Sequence, residues 1–297
     1  MNISFFLSNL VKKKIKIDSQ IVGARIKPYH FRVTTRQIQN YAASIFDENS
    51  IYFDTEKEIV AHPLFVARIS WEIIEKLNQL SEVEFPDHIF DHLAHQSEYL
   101  EIHRLLKPGD ELTIPGEIVA VIPHKLGVKI FLKFDYFDQQ NKLVLAEYIG
   151  AILFGVKCSD QGKTSLNLPV VERVEQNSLI WETQIPIEKV APYIYDGCSN
   201  IVYPIHTDRK FARSMGLSDI ILQGTATLAM SVSAIIKREL NHDPRLIKII
   251  SAKFTDVVVP PNRLSVRLLE RNQQEAYFDV TERGGKFVLK GGYIKFL

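Results

Sequence analysis

The sequence has little cysteine and almost no net charge. Its 297 residues include only Cys158 and Cys198, too few for a disulfide framework, which fits a reducing compartment. Neither cysteine belongs to a CxxC or a Cys/His cluster, so we predict no metal site. Lysine and arginine total 36 against 35 aspartates and glutamates. The resulting net charge of +1 gives no electrostatic reason to expect a nucleic-acid partner.

Long apolar runs are also missing. No segment approaches the roughly 20 apolar residues of a membrane-spanning helix. At the N-terminus, MNISFFLSNLVKKKIKID carries its lysines after a short apolar stretch, whereas a secretory signal carries them before it. We interpret this segment as a leader or an edge strand, with Lys12-Lys13-Lys14 as a solvated run. The sequence therefore predicts a cytoplasmic protein.

The two halves of the chain repeat one pattern of elements. In the first half, a short capped helix is predicted in residues 34–54 and an apolar helix in IVAHPLFVARISWEIIEKL, residues 59–77. Strand-like runs separated by turn residues follow. The second half repeats the short helix, a long helix in GTATLAMSVSAIIKREL (224–240) and the strands. Proline turns at 107–112 and 259–264 occupy the same place in each half.

This repeat predicts the architecture. A helix that is apolar nearly all round has to be wrapped, and an antiparallel sheet curled around it does so. Two such units can pack as a pseudo-dimer with their sheets joined at the edges. We therefore predict an α+β fold with an N-terminal domain at 24–156, a polar, turn-rich linker at 157–178 and a C-terminal domain at 179–297.

The segment YPIHTDRKFARSMGLSDIILQGTATLA carries the chemical signal. It resembles the hydratase motif of MaoC-like dehydratases and (R)-specific enoyl-CoA hydratases, of the double-hotdog type. That motif runs Asp-x-Asn-Pro-Leu/Ile-His and ends in Ile-x-His-Gly at the start of the long helix. The matching positions are Pro204, Ile205, His206, Asp208, Ala212, Gly216, Leu217, Ile221 and Gly224. The first half is similar to a degenerate hotdog domain, with Tyr52 at the His position.

The resemblance implies an acyl-thioester hydratase or dehydratase that interconverts (R)-3-hydroxyacyl and trans-2-enoyl thioesters without a cofactor. His206 would act as base and acid, because a neutral imidazole can exchange a proton near neutral pH. The N–H of Gly224, at a helix N-terminus, would donate to the thioester oxygen. The residues expected to line the substrate pocket are Tyr203, Gln223, Thr225 and Ile201. The partner would be an acyl-CoA or acyl-carrier thioester, and a homodimer is an open outcome because hotdog proteins often pair.

The acid of the family motif is missing. It would lie five residues before the His, where this sequence has Ile201, and a one-residue shift places Asn200 there. An amide can orient a water, but it cannot take a proton. We therefore predict that Asn200 orients the water while His206 works without the acid. The alternative is that another carboxylate reaches into the site, and those close to the motif in sequence are Asp196, Asp208 and Asp219.

Two other functions stay open. A hotdog thioesterase would use a carboxylate near a helix start, so Asp47 or Asp219 at such a position would favour it. An acyl-thioester-binding subunit whose site has decayed would be favoured by a His206 that is buried away from Gly224.

The histidines of the first half are interpreted as non-catalytic. His62 lies where the predicted apolar helix begins, and no second catalytic residue accompanies it. Three further histidines lack carboxylate or cysteine partners at metal-ligand spacing and are predicted to be surface or pocket-wall residues. They are His92, His95 and His103.

Overall fold

A computed structural model of the chain describes residues 15–171 and 178–297. The interpretation of Lys12-Lys13-Lys14 therefore lies outside the described residues. The helices are Thr35–Ser44 (α1), Ala67–Glu75 (α2), Leu77–Leu80 (α3), Ala191–Ser199 (α4), Arg209–Ser214 (α5) and Gly224–Glu239 (α6). Short 3-10 turns lie at Ser19–Ile21, Ser50–Tyr52, Pro63–Val66, Ile89–His92, Pro204–His206 and Pro244–Leu246. No helix of the described residues is long and apolar enough to cross a membrane.

The strands form one large antiparallel sheet and a small parallel sheet of two strands. In the first half they are Lys16–Ile17 (β1), Arg25–Arg32 (β2), Leu93–Ile102 (β3), Glu111–His124 (β4), Gly127–Phe137 (β5), Leu143–Phe154 (β6), Lys157–Cys158 (β7) and Lys163–Thr164 (β8). In the second half they are Trp181–Ile187 (β9), Ile247–Phe254 (β10), Asn262–Arg271 (β11), Glu275–Thr281 (β12) and Phe287–Phe296 (β13).

The order of strands in the large sheet is a mirrored repeat. It runs β2-β4-β5-β6-β3 in the first half and continues β10-β13-β12-β11-β9 in the second. The halves meet where β3 pairs antiparallel with β10, with Leu100 opposite Ile250. Each half is thus a sheet of five principal strands whose central edge is closed by the other half. The predicted α+β pseudo-dimer of edge-joined sheets is confirmed.

Each half of the sheet curls around one helix. In α6 every residue from Thr225 to Val232 is buried, as expected for a helix that is apolar nearly all round. The corresponding helix of the first half is shorter than predicted. The predicted helix over 59–77 is replaced by the turn at Pro63–Val66, then α2 and α3. Pro63 lacks an N–H, and the His62 ring caps this turn by accepting from Leu64 N at 3.1 Å, so the helix begins later.

The two short helices pack against each other across the pseudo-twofold. Helix α1 begins with the predicted cap, since Thr34 accepts from Gln37 N and the Gln37 side chain accepts from Thr34 N. Tyr41 on α1 and Tyr195 on α4 meet edge to face, with ring centroids 6.0 Å apart. Their hydroxyl oxygens are 3.4 Å apart within the core. This contact fixes α4, and hence the chain that leads from α4 to His206.

The first residues of the stretch predicted as a linker are still paired with strands of the N-terminal half. Strand β7 pairs parallel with β1, and β8 pairs antiparallel with β4. Ser165 N still donates to Val119 O at 2.9 Å. The chain therefore leaves the N-terminal sheet only after Ser165, because these backbone groups complete hydrogen bonds that an edge would leave open.

Candidate active site

A cavity of about 280 Å³ lies between the two halves. The second half lines it with Ile201, Val202, Tyr203, Ile205, His206, Ile221, Leu222, Gln223, Gly224, Thr225, Thr227, Phe254, Asp256, Val257, Val258 and Val288. The first half lines it with Trp71, Ile74, Glu75, Phe90, Leu93, Ala94 and His95. Most of these side chains are apolar, with a few convergent polar groups, as in small-molecule sites generally.

His206 ends the 3-10 turn that Pro204 begins. Its Nδ1 lies 2.8 Å from Ile221 O. Because a carbonyl oxygen can only accept, Nδ1 carries the proton and Nε2 keeps a lone pair. Burial lowers the pKa of His206 to about 4, so the ring is neutral at neutral pH. The structure therefore presents a neutral imidazole whose free nitrogen can accept a proton.

The N-terminus of α6 contributes a hydrogen-bond donor to the same cavity. Gly224 is the first residue of the helix, and no side chain caps it. Within the described ranges, no acceptor bonds the Gly224 N–H. A Cβ at this position would lie 3.0 Å from the Phe254 ring, so glycine keeps the approach to this N–H open. An uncapped helix start of this kind favours a negatively charged oxygen.

Four other residues predicted to bind substrate also line the cavity. Gln223 is 1% exposed, and its Nε2 donates to Pro192 O at 3.2 Å. Its Oε1 has no partner among the described residues. Thr225 Oγ1 accepts from Tyr195 OH at 3.0 Å, which leaves the threonine hydroxyl hydrogen available. The complete set of four is Ile201, Tyr203, Gln223 and Thr225.

Asn200 is the exception, and its predicted position has to be corrected. It is exposed, it ends α4 as a left-handed C-cap with φ 58°, and it is not among the described residues that line the cavity. Asparagine is one of the few residues that adopt this conformation at low cost, which explains its place at a helix end. Ile201, 5% exposed, occupies the cavity wall instead. The structure therefore does not support the one-residue offset from the family motif that placed Asn200 at the position of the acid.

Two of the three carboxylates close to the motif in sequence are engaged elsewhere, and the third, Asp196, has a buried Oδ1 without a hydrogen-bond partner among the described residues but does not line the described cavity. Asp208 caps α5 by accepting from Lys210 N at 2.7 Å. Asp219 accepts from the Arg209 guanidinium at 3.0 Å. Asp47 accepts from the backbone N–H of Asn49, two residues on, at 3.0 Å. None of Asp47, Asp208 and Asp219 lines the described cavity, so the arrangement expected of the thioesterase alternative is not found at these positions.

Sequence reasoning missed most of the wall contributed by the first half. Trp71, Glu75 and Phe90 line the cavity although no local motif singles them out. Phe254 and Asp256, which lie at and just beyond the end of β10, were also missed. Glu75 lies on α2 and is exposed as a whole residue. Partial burial of its carboxyl group nevertheless raises the pKa of that group. The only signal for these residues is the repeat itself, because it places the two halves edge to edge.

The buried histidines give the fold a distinct pH dependence. Burial lowers the pKa of His62, His95 and His206 from 6.5 to about 4. Their contributions to the free energy of unfolding are therefore lost as the pH falls from 6.5 to 4. Burial raises the pKa of Glu98 from 4.5 to about 8. The contribution of Glu98 to the free energy of unfolding is therefore lost as the pH rises from 4.5 to 8. One proton corresponds to about 1.4 kcal/mol per pH unit. We therefore expect the free energy of unfolding to be highest near pH 6.5.

Urea unfolding of the parent and of Glu98→Gln at pH values from 5 to 8.5 tests this expectation. The variant should lose only part of the decline above pH 6.5, because burial also raises the pKa of Glu147 well above its usual value and that carboxyl still contributes. Glu101→Gln, at an exposed glutamate on the same strand, should retain the whole decline. A parent whose stability still rises between pH 7 and 8 would contradict the assignment to Glu98.

Comparison with known proteins agrees with this geometry. Residues 173–286 match the MaoC like domain family, and residues 20–146 match the FAS1-like dehydratase domain region. The chain thus carries a MaoC-like domain in its second half. The crystal structure of a MaoC-like dehydratase from Phytophthora capsici superposes with a TM-score of 0.83 and 17% identity. The match covers 95% of this chain and 98% of that one, so the two share the double-hotdog fold over nearly their whole lengths.

Two curated relatives add printed activities. The peroxisomal multifunctional enzyme type 2 of Drosophila melanogaster is 26% identical over 210 residues, which is 69% of this chain and 34% of the relative. The peroxisomal enoyl-CoA hydratase 2 of Arabidopsis thaliana is 33% identical over 88 residues, which is 30% of this chain and 28% of the relative. The chain thus spans about a third of the length of the curated relatives it matches.

Proposed function

We propose that the cavity catalyses the reversible hydration of an α,β-enoyl thioester, as a lyase without a bound cofactor. One observation carries the proposal: a neutral His206 with a free Nε2 and the uncapped N–H of Gly224 line the same cavity. The first is a base for water, and the second is a donor for the oxygen on which negative charge develops. The names of the curated relatives, an enoyl-CoA hydratase among them, support the same reaction class.

In the proposed reaction, the oxygen of water bonds to C3 of the enoyl group while His206 Nε2 takes one of its protons. The electrons of the double bond move toward the thioester carbonyl, whose oxygen accepts a hydrogen bond from Gly224 N–H. The imidazolium then returns its proton to C2, which completes a 3-hydroxyacyl thioester. Burial lowers the pKa of His206 to about 4, which favours the return of the proton from the imidazolium to C2 and makes the ring a weaker base in the first step.

The cavity wall contributed by the first half is proposed to hold the acyl chain. Its apolar side chains include Trp71, Ile74, Phe90 and Leu93. This half supplies hydrophobic surface opposite the groups on the turn at Pro204–His206 and on α6. We propose an acyl-CoA as substrate, with an acyl-carrier thioester as the alternative, and the (R)-3-hydroxyacyl configuration for the product.

The hydration of crotonyl-CoA and of longer trans-2-enoyl-CoA esters by the purified protein tests the proposal. Loss of the enoyl absorbance at constant thioester content is expected, with a chiral assay showing the (R)-3-hydroxyacyl product. Release of free thiol without hydration would instead support the thioesterase alternative. Inactivity on every chain length and on carrier-bound substrates, together with tight binding, would support the binding subunit.

The location of Ile201 gives a further prediction. Ile201→Asp places a carboxylate in the cavity wall at the position of the family acid, and we expect kcat for crotonyl-CoA hydration to rise about tenfold or more. Some loss of stability is expected because this carboxylate is largely buried. Asn200→Asp is the matched control. It adds the same group one residue away, on the exposed helix end, and should change kcat less than twofold. A gain in Asn200→Asp alone would restore the original assignment.

Two finer expectations are also proposed. Cys158 and Cys198 are both free thiols, which supports a reducing compartment such as the cytoplasm. The printed names of the curated relatives place those proteins in peroxisomes, so a fluorescent fusion imaged with markers for both compartments is the appropriate test. Light scattering of the purified protein would show whether two copies pair.

A further inference from the structure

A buried polar cluster lies behind the cavity wall of the first half. Glu98 and Glu147, on the adjacent strands β3 and β6, are both buried within an otherwise apolar core. Glu147 accepts hydrogen bonds from Ser70 Oγ at 2.9 Å and from Tyr136 OH. Burying two carboxyl groups together is costly unless they serve or complete a polar network. His95 connects this cluster to the cavity.

The orientation of His95 is fixed by its neighbours. Its side chain is 9% exposed. The Nε2 lies 3.0 Å from Ser97 O and 3.1 Å from Glu98 Oε2. Because the carbonyl can only accept, Nε2 carries the ring proton. In the neutral ring, Nδ1 then keeps a lone pair, and this buried atom has no hydrogen-bond partner among the described residues.

His95 lies close to the start of α6. Its ring centroid is 4.4 Å from that of Phe254 and 5.6 Å from that of Trp71, and all three rings line the cavity. Phe254 is also the side chain that a Cβ on Gly224 would meet at 3.0 Å. One aromatic ring therefore separates His95 from the proposed oxyanion donor. His95 Nδ1 is a buried acceptor without a hydrogen-bond partner among the described residues, and a donor group on a ligand would satisfy it.

We infer that His95 Nδ1 is the second hydrogen-bond acceptor of the site, for the reacting water or for the hydroxyl of the 3-hydroxyacyl product, and that the hydrogen bond from Nε2 to Ser97 O positions the ring. This inference rests on the proposed function. A water that donates one proton to His206 has a second hydrogen, and the side chain of Ile201 offers no acceptor for it. His95 supplies that acceptor from the first half of the chain, so the half without the motif completes the site.

Two variants of similar size distinguish the roles of the two ring nitrogens of His95. His95→Gln places an amide near the Nε2 position and removes the Nδ1 acceptor, whereas His95→Asn keeps a polar atom near the Nδ1 position. We expect His95→Gln to lower kcat for crotonyl-CoA hydration about ten- to hundredfold with KM changed less than threefold, and His95→Asn to retain more activity. His103→Gln is the control, because His103 is 46% exposed just beyond the end of the same strand. A His95→Gln enzyme within twofold of the parent would overturn the inference.

A binding measurement tests the contact independently of turnover. In the His206→Ala background, calorimetry would compare 3-hydroxybutyryl-CoA with butyryl-CoA, which lacks the hydroxyl. Adding His95→Gln should weaken binding of the hydroxylated ester about tenfold and leave that of butyryl-CoA unchanged. Equal effects on both esters, or none, would overturn the inference even if hydration is confirmed. A parent without hydration activity would count against the proposed function, whereas the difference between the two esters would still support the contact.

Discussion

Replacing His206 with alanine is expected to lower kcat/KM for crotonyl-CoA hydration by about a thousandfold. His206 Nε2 is the proposed base for the water, and its tautomer is fixed by the 2.8 Å contact between Nδ1 and Ile221 O. Removing the ring removes both the acceptor of the proton from water and the donor of the proton to C2. The reaction would then depend on the oxyanion donor and on substrate positioning alone.

His92→Ala is the matched control for His206→Ala. His92 is also largely buried, and its Nδ1 also lies 2.8 Å from a backbone carbonyl oxygen, that of Phe154. It is not among the described residues that line the cavity. We expect this variant to lower the urea midpoint but to change kcat/KM less than threefold. Activity within tenfold of the parent in His206→Ala would show that the base lies elsewhere, and Glu75 and Asp256 are the carboxylates that line the cavity.

Replacing Gly224 with alanine is expected to lower kcat about a hundredfold, close to the loss seen when one oxyanion donor is removed. The new Cβ would lie 3.0 Å from the Phe254 ring, so the ring or the helix start has to shift. Either shift changes the position of the Gly224 N–H relative to the thioester oxygen. The loss should fall mainly on kcat, because the donor is matched to the charge of the transition state.

Gly197→Ala is the control for this substitution. Gly197 lies within α4, and a Cβ there would meet no atom within 4 Å. In a helix, alanine is more stable than glycine by roughly 0.5–1 kcal/mol, so neither variant should unfold for reasons of backbone conformation. Unchanged turnover in Gly224→Ala, measured at saturating crotonyl-CoA, would move the role of oxyanion donor to another group, with Thr225 as the neighbouring candidate on the same helix turn.

The repeat and the motif explain why much of the fold was predictable. The mirrored strand order follows from two halves that carry the same succession of helix, Pro turn and strands. His206 and Gly224 reach one cavity because a short helical segment and a bridge between Leu222 and Val258 connect them. Both residues lie in one continuous segment, so their local order constrains their distance.

The assignments that required correction depend on backbone conformation. Whether Asn200 or Ile201 takes the place of the acid depends on where α4 ends, and helix ends are weakly specified by sequence. The left-handed conformation of Asn200 turns its side chain to the surface and leaves Ile201 at the cavity. Likewise, Pro63 and the His62 cap shortened the helix of the first half, although its apolar pattern extends further.

The sequence by itself determined the α+β pseudo-dimer, the MaoC-like motif of the second half, and the pairing of His206 with a helix that starts at Gly224, because these rest on local patterns and on a repeat within the chain. Only the tertiary structure decided which residues of the first half face His206 and Gly224 across the cavity. The pairing of β3 with β10 brings His95 against Phe254, residues that are far apart in sequence and share no motif. Contacts of this kind depend on strand register and on the docking of two halves, which no local pattern records.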